Sequence, residues 1–363
     1  MTDSGVQITS PPVQAAKIAA ARGGEPYILP YRGVLPYFAS PAVYCGADAA
    51  VLGRVTLGRN AVLGTSSVIR ADGDDVRIGD DFAFGDRATI HIEHDILPTN
   101  IGDRVTVGAN AVVHACTVGS DVVVEVGALV LDASEVPDNV VLEPGSVVFP
   151  RSKLESGKLY AGIPTRPVRD LQPGEVAERA ALLRPRIGTM PGSGRAPAAG
   201  DLHDSVFVAA TARLRGRIYA ATGSSIWFGC ELDAADGEIV IGENANIQDN
   251  TLIRCRPGRR FVIGRDATIG HNVTLGDCTI GARALIGIGS VVANGSTIED
   301  DAFLAAGAET AEGQVLEGGL LWGKRPAVKI APLDAAKRAV MTTIPPLYVG
   351  YAHEFDAAQR KRG

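Results

Sequence analysis

The chain of 363 residues carries a formal net charge of −6, contains 43 glycines and is only 5% aromatic. That balance excludes the basic face a nucleic-acid or anionic-membrane partner needs, and no apolar run approaches the roughly 18 residues of a membrane span. The opening "MTDSGVQITSPPVQ" lacks the charged-then-apolar order of a secretory leader. Five cysteines without a CxxC spacing read as reduced, buried small side chains, so a cytoplasmic protein is expected.

Residues 1–26 are expected to be a flexible segment with a short helix in "VQAAKIAAA". From residue 27 an aliphatic residue recurs at every sixth position: Cys45, Val51, Leu57, Leu63, Ile69, then Ile78, Phe84, Ile90, then Ile101, Val107, Val113. The beat resumes one residue early, at Val118. A Gly/Pro crossing, "AGIPTRPVRDL", leads to a predicted helix over 174–183, which closes a first unit at residue 185. Residues 186–203, "RIGTMPGSGRAPAAGD" and its flank, have linker composition. The second unit, 204–363, repeats the pattern: Val208, Leu214, Ala220, Ile226, Leu232, then Ile241, Ile247, Ile253, then Ile263, Ile269, Leu275. It takes the same step of five, to Ile280, and ends with "WGKRPAVKIAP" and a helix predicted over 334–341 with Asp334 as N-cap. The shared irregularity identifies a tandem duplication.

A six-residue period fits neither strand alternation nor a helix. It fits a short strand and a turn with one side chain pointing inward, three of which close a triangular coil of about 18 residues. Each unit therefore reads as a mainly β, parallel β-helix of about six coils followed by a C-terminal α-helix. Glycine is expected to serve the turns at positive φ.

Counting faces along the coils places the histidines. Ile90 and Val113 fall on the third face one coil apart, so His91 and His114, which follow them, point outward one above the other. Arg70 lies in the same column one coil below. The matching column of the second unit holds Asp233, Arg254 and Gly276, in which the two charged residues are expected to pair with each other. The second face of that unit instead carries His271, with Asp249 one coil below and Asn246 and Gln248 beside it. The same face of the first unit keeps only Asp86 among Ala83, Gly85 and Ala109.

The hexads together with "SSIWFG", "NIQDN", "IGHNVTLGDCTIG" and the small-Pro crossing resemble the γ-class carbonic anhydrase family of left-handed β-helix (hexapeptide-repeat) proteins. The resemblance spans most of both units. It implies zinc (with Fe2+ or Co2+ as substitutes) held by three histidines at a seam between prisms, which His91, His114 and His271 match. It also implies CO2 and bicarbonate as substrates, trimer-like prism packing in a homo-oligomer, and a polar active-site pair matched by Asn246 and Gln248. Arg70 and Asp86, with Asp72 and Asp249, match the family's charged seam. On this basis Gln248 orients the attacking oxygen, Asn246 holds substrate oxygens, and Arg70 pairs with Asp72 and an aspartate across the seam. His94 in "HIEHD" is the candidate proton carrier, with Glu93 as its alternative. Two degenerate copies would then make one composite site. A metal-free scaffold and a hexapeptide acyltransferase are the competing functions.

Overall fold

The computed structural model describes residues 23–190 and 198–362. The helix expected in "VQAAKIAAA" lies outside the described residues. The chain forms two left-handed parallel β-solenoids, each with its inward residues stacked coil on coil. In the first, Ile69 pairs in register with Ile90 and Ile90 with Val113 on one face, Phe84 with Val107 on the next, and Ile78 with Ile101 on the third. In the second, Ile253 lies on Leu275, Ile247 on Ile269 and Ile241 on Ile263. The step of five is absorbed without loss of register, because Val118 lands on Ile101 and Ile280 on Ile263. These side chains are all buried, each contributing about 1.5–3 kcal/mol of transfer free energy.

Glycine serves turns at positive φ as expected, as at Gly127, Gly229 and Gly289, and has a second part besides. Gly85, which follows the inward Phe84, does not have positive φ; a Cβ there would lie 2.4 Å from the Ala109 amide of the next coil. The turns at positive φ are often Asn, Asp or Arg, such as Asn110 at 56° and Asp81 at 57°. Glycine after an inward residue thus permits the close stacking of corners, while polar residues occupy much of the left-handed backbone.

The first helix, α1 (Glu175–Leu183), matches its predicted span and packs through Val176, Ala180 and Leu183 onto Val123, Val141 and Leu159 of the second face. The second, α2 (Ala335–Arg362), is far longer than the helix predicted over 334–341. Asp334 does cap it, accepting from the Lys337 amide at 2.8 Å. The prediction stopped before Pro345 and Pro346, which remove two helical donors. The helix continues because Met341, Pro345, Tyr348, Tyr351, Ala352 and Phe355, spaced for one helical face, are buried. Phe355 and Tyr351 pack on Trp227 of the second solenoid and on Tyr31, which precedes the first, so α2 spans both.

The ends of the predicted linker also carry structure. The Gly188 and Met190 amides donate to Asp86, and Ala198–Ala199 pairs in parallel with Gly216 and Arg217. Composition gave no sign of these contacts, since the first two depend on a carboxylate about a hundred residues away and the third on a strand of the second solenoid.

At the start of α1, Glu175 accepts from both terminal nitrogens of Arg169 at 2.7 Å and from the Gln172 amide at 3.0 Å. The Arg169 bonds, then the amide, hold its pKa down to about 2. A lowered folded-state pKa gives stability that is complete above the unfolded value near 4.5 and disappears as pH falls through 2. Thermal denaturation of Glu175→Gln against wild type is therefore expected to show a gap in Tm that is constant from pH 5 to 7 and closes below pH 4.

Candidate metal centre

The third face of the first solenoid packs against the second face of the other, and a polar zipper sets their register. Thr89 Oγ1 donates to Asn272 Oδ1 at 2.6 Å, Asn272 Nδ2 to the Arg87 carbonyl at 2.7 Å, and Asn250 Nδ2 to Thr89 Oγ1 at 3.0 Å. Arg87 crosses the seam to Glu231 at 2.6 Å and to the carbonyls of Gly229 and Asn250. Burial holds the Arg87 pKa below its ordinary value, with Glu231 opposing.

This docking brings together three histidines. His91 and His114 are register partners on adjacent coils, with ring centroids 5.2 Å apart, and His271 enters from the facing solenoid. His91 Nδ1 lies 3.2 Å from both His114 Nε2 and His271 Nε2, and all three nitrogens lie within 4.8 Å of one another. The rings converge within one chain, so their meeting requires no second copy. His91 and His271 are 4% and 1% exposed and His114 12%, so the triad is reached from the His114 side.

Each ring turns its other nitrogen to a carboxylate. His91 Nε2 meets Asp72 at 2.7 Å and His114 Nδ1 meets Asp132. His271 Nδ1 lies 3.2 Å from Asp249 Oδ2, close enough for charge contact but without the alignment of a good hydrogen bond. At His91 and His114 these acceptors favour ring protons on the outer nitrogens, and the Asp249 charge favours the same tautomer at His271, which turns lone pairs inward. Burial pushes the His91 pKa well below its ordinary value and that of His271 down to about 4, so protons do not fill the gap between the rings. Burial opposes ionisation of Asp132 and Asp249. His114 overcomes it at Asp132, and Arg70 with His271 at Asp249, so both acids stay below the usual range.

Inward lone pairs about 3.2 Å apart repel unless a cation lies between them. The edge of a tetrahedral site with Zn–N of 2.0–2.1 Å is about 3.3 Å. The three carboxylates behind the rings, less the Arg70 guanidinium, leave a charge of about −2, which a divalent cation balances. The donor set therefore fits a metal ion.

Arg70 is fully buried, and its donors go to Asp249 at 2.9 Å, to Asp72 and to the Tyr348 hydroxyl at 3.0 Å, while Trp227 lies 4.4 Å beneath the guanidinium. Gln248 Nε2 donates to Asn246 Oδ1 at 3.1 Å, and Asn246 to Thr268 at 3.0 Å, a ladder on the His271 face. His94 is 20% exposed; its Nδ1 lies 2.8 Å from the Asp72 carbonyl, its Nε2 3.3 Å from Asp95, and its ring meets the Tyr351 ring edge-on.

Two expected contacts do not form. Asp86 is absent from the seam, because its carboxylate is saturated by the Thr65, Gly188 and Met190 amides on another face. Asp233 and Arg254 are register partners but do not pair. Arg254 reaches Glu231 at 3.7 Å and Asp233 reaches Arg215 at 3.6 Å, since residues on an exposed face choose among several neighbours. Asp132 was missed because the His91–His114 column leads one coil on to Leu131, and the carboxylate that reaches His114 belongs to the residue after it. Trp227, in "SSIWFG", was within reach, since register places it one coil below Gln248, whereas Tyr348 carried no usable signal, lying on a helix outside the repeat.

A family profile described as the hexapeptide repeat of succinyl-transferase matches residues 73–115, 98–132 and 277–308. A protein from Methanocaldococcus jannaschii named "Probable carbonic anhydrase" is 30% identical over 137 residues, which is 38% of this chain and 86% of that protein. The chain belongs to the γ-class carbonic anhydrase-like family. Gamma carbonic anhydrase 2, mitochondrial, of Arabidopsis thaliana is 33% identical over 139 residues, 37% of this chain, and the chain spans only 50% of that relative's length. Among solved structures, a hexapeptide transferase family protein from Anaplasma phagocytophilum shares 29% identity over 42% of this chain and 91% of its own, with a TM-score of 0.41. Within this γ-class-like fold no helix of the described residues is long and apolar enough to cross a membrane.

Replacing Arg87 with alanine would strip two buried carbonyls of their Arg87 donor and leave Glu231 with Arg254 alone at the seam of this family fold. Urea denaturation of Arg87→Ala is expected to show a loss of about 2–4 kcal/mol, a little under the roughly 3–5 kcal/mol of a fully buried ion pair because the Glu231 side chain is 25% exposed.

Proposed function

We propose that the chain is a metal-dependent lyase of the γ-carbonic anhydrase type, interconverting CO2 and bicarbonate at one composite site between its solenoids. The observation that carries this reading is the inward convergence of three imidazoles, each backed by its own carboxylate. His91 Nδ1, His114 Nε2 and His271 Nε2 would hold the ion, with zinc the first choice and Fe2+ or Co2+ able to replace it. When bound, the cation supplies Lewis acidity that brings the pKa of water to about 7.

The chain's own residues do the rest. Asp72, Asp132 and Asp249 fix the ring tautomers and raise the donor strength of the imidazoles. Arg70 binds no substrate in this reading, because it is fully buried with its donors committed, and acts as a positioning residue for Asp72 and Asp249. Asn246, which is buried and holds Gln248 by a hydrogen bond, steadies the amide we assign to orienting the attacking oxygen. With Nδ1–H donated to the Asp72 carbonyl, His94 takes a proton at Nε2 and passes it towards Asp95 and solvent.

Metal analysis tests the core of the reading. Wild type purified with zinc is expected to hold about one ion per chain at any protein concentration. His271→Ala is expected to hold less than about a tenth of that and to lose CO2 hydration activity. A wild-type protein that takes up no ion would instead support the metal-free scaffold. For the proton route, His94→Ala is expected to lower kcat in dilute buffer by about 10-fold or more, with recovery on adding imidazole. Unchanged kcat would remove His94 from the mechanism.

A further inference from the structure

Of the polar groups around Arg70, one comes from neither solenoid. Arg70 Nη2 donates to the hydroxyl of Tyr348, on the buried face of α2, at 3.0 Å. The other donors of the same guanidinium reach Asp72, in its own strand, and Asp249, across the seam. Those two acids are the partners of His91 and His271. We propose that Tyr348 is a positioning residue of the composite site, so that the C-terminal helix sets the geometry of the metal-binding rings through Arg70. The inference rests on the metal-centre reading and deepens it.

A planar guanidinium gripped only by two carboxylates can still swing about the line joining them. The third contact, from a different direction, defines its plane, and the Trp227 ring 4.4 Å below blocks tilting towards that side. Arg70 is fully buried, so water is not at hand to replace a lost partner. Without the hydroxyl, an N–H would be orphaned at a cost the side chain escapes by rotating, and rotation carries Asp72 and Asp249 with it. Tyr348 is itself held in place, with its ring edge-on to Trp227 at 5.1 Å. One turn further on, Tyr351 is packed in the same cluster, but its buried hydroxyl has no hydrogen-bond partner. Adjacent tyrosines on one helix face thus differ in the feature that matters, which makes one the control for the other.

The test is a Co2+ titration of the full chain, followed by visible absorption, for wild type, Tyr348→Phe and Tyr351→Phe. Both variants keep their aromatic rings, and thermal denaturation will verify that each remains folded. Tyr348→Phe is expected to bind Co2+ about 10-fold more weakly, at the lower end of the effect of groups one shell behind metal ligands, and with altered ligand-field bands. Tyr351→Phe should match wild type in both respects. Wild-type affinity and superposable bands in Tyr348→Phe would overturn the inference while leaving the metal centre standing. An equal loss in Tyr351→Phe would also overturn it, because the effect would then be general loosening of the helix. Failure of wild type to take up Co2+ would overturn the metal reading and this inference with it.

Discussion

A guanidinium sealed from water at the junction of two solenoids constrains the rest of this molecule. Desolvating the Arg70 charge costs several kcal/mol, and the cost is offset only when carboxylates from both sides are in place. Asp72 lies in the first solenoid and Asp249 in the second, so the ion network is satisfied in one docked register only. A shift of one coil, about 4.8 Å, would part Arg70 from Asp249 and leave Asp72 as its one carboxylate. The zipper of Thr89, Asn250, Asn272 and Arg87 reinforces the same register with neutral hydrogen bonds and one ion pair, Arg87 to Glu231.

That register decides what the duplicated faces do. The third face of the first solenoid and the second face of its neighbour keep histidines because they are the faces pressed together. Their two counterparts have gone separate ways. On the first solenoid, α1 covers part of the second face and the segment around Gly188 and Met190 takes over Asp86. On the second solenoid, the third face carries charges that pair loosely with neighbours at 3.6–3.7 Å and half-exposed side chains. Retaining histidines there would have placed imidazoles with no facing third ligand. The split distribution therefore follows from having two prisms, and only one seam of this kind, in a single chain.

The centre also shows how neutral and charged groups share one task. Burial keeps His91 and His271 in their neutral forms, which is what ligation requires, while Arg70 and His271 keep Asp249 ionised despite equal burial. The result is a pocket whose rings are bases and whose backing is anionic, an environment suited to a small divalent cation rather than to a proton.

Much of this was legible in residue spacing. A strict six-residue period forces an inward side chain once per strand, so the coil register, the stack of Arg70, His91 and His114, and the separate placement of His271 all follow from counting. Asp132 was not legible this way, because the same count lands on Leu131 beside it. Nor were the actual partners of Asp233 and Arg254, because exposed charges select partners by rotamer freedom rather than by register. The full length of α2 was hidden as well: local propensity ends it at two prolines, and only burial of Tyr348, Tyr351 and Phe355 against Trp227 and Tyr31 carries it on. The repeat alone thus determined the architecture and which side chains face outward, since those depend on neighbours a fixed number of residues apart. Which outward faces meet, and with them the convergence of His91 with His271 and the reach of Tyr348 to Arg70, was decided by tertiary docking, because those contacts join segments 180 and 278 residues apart that no local period relates.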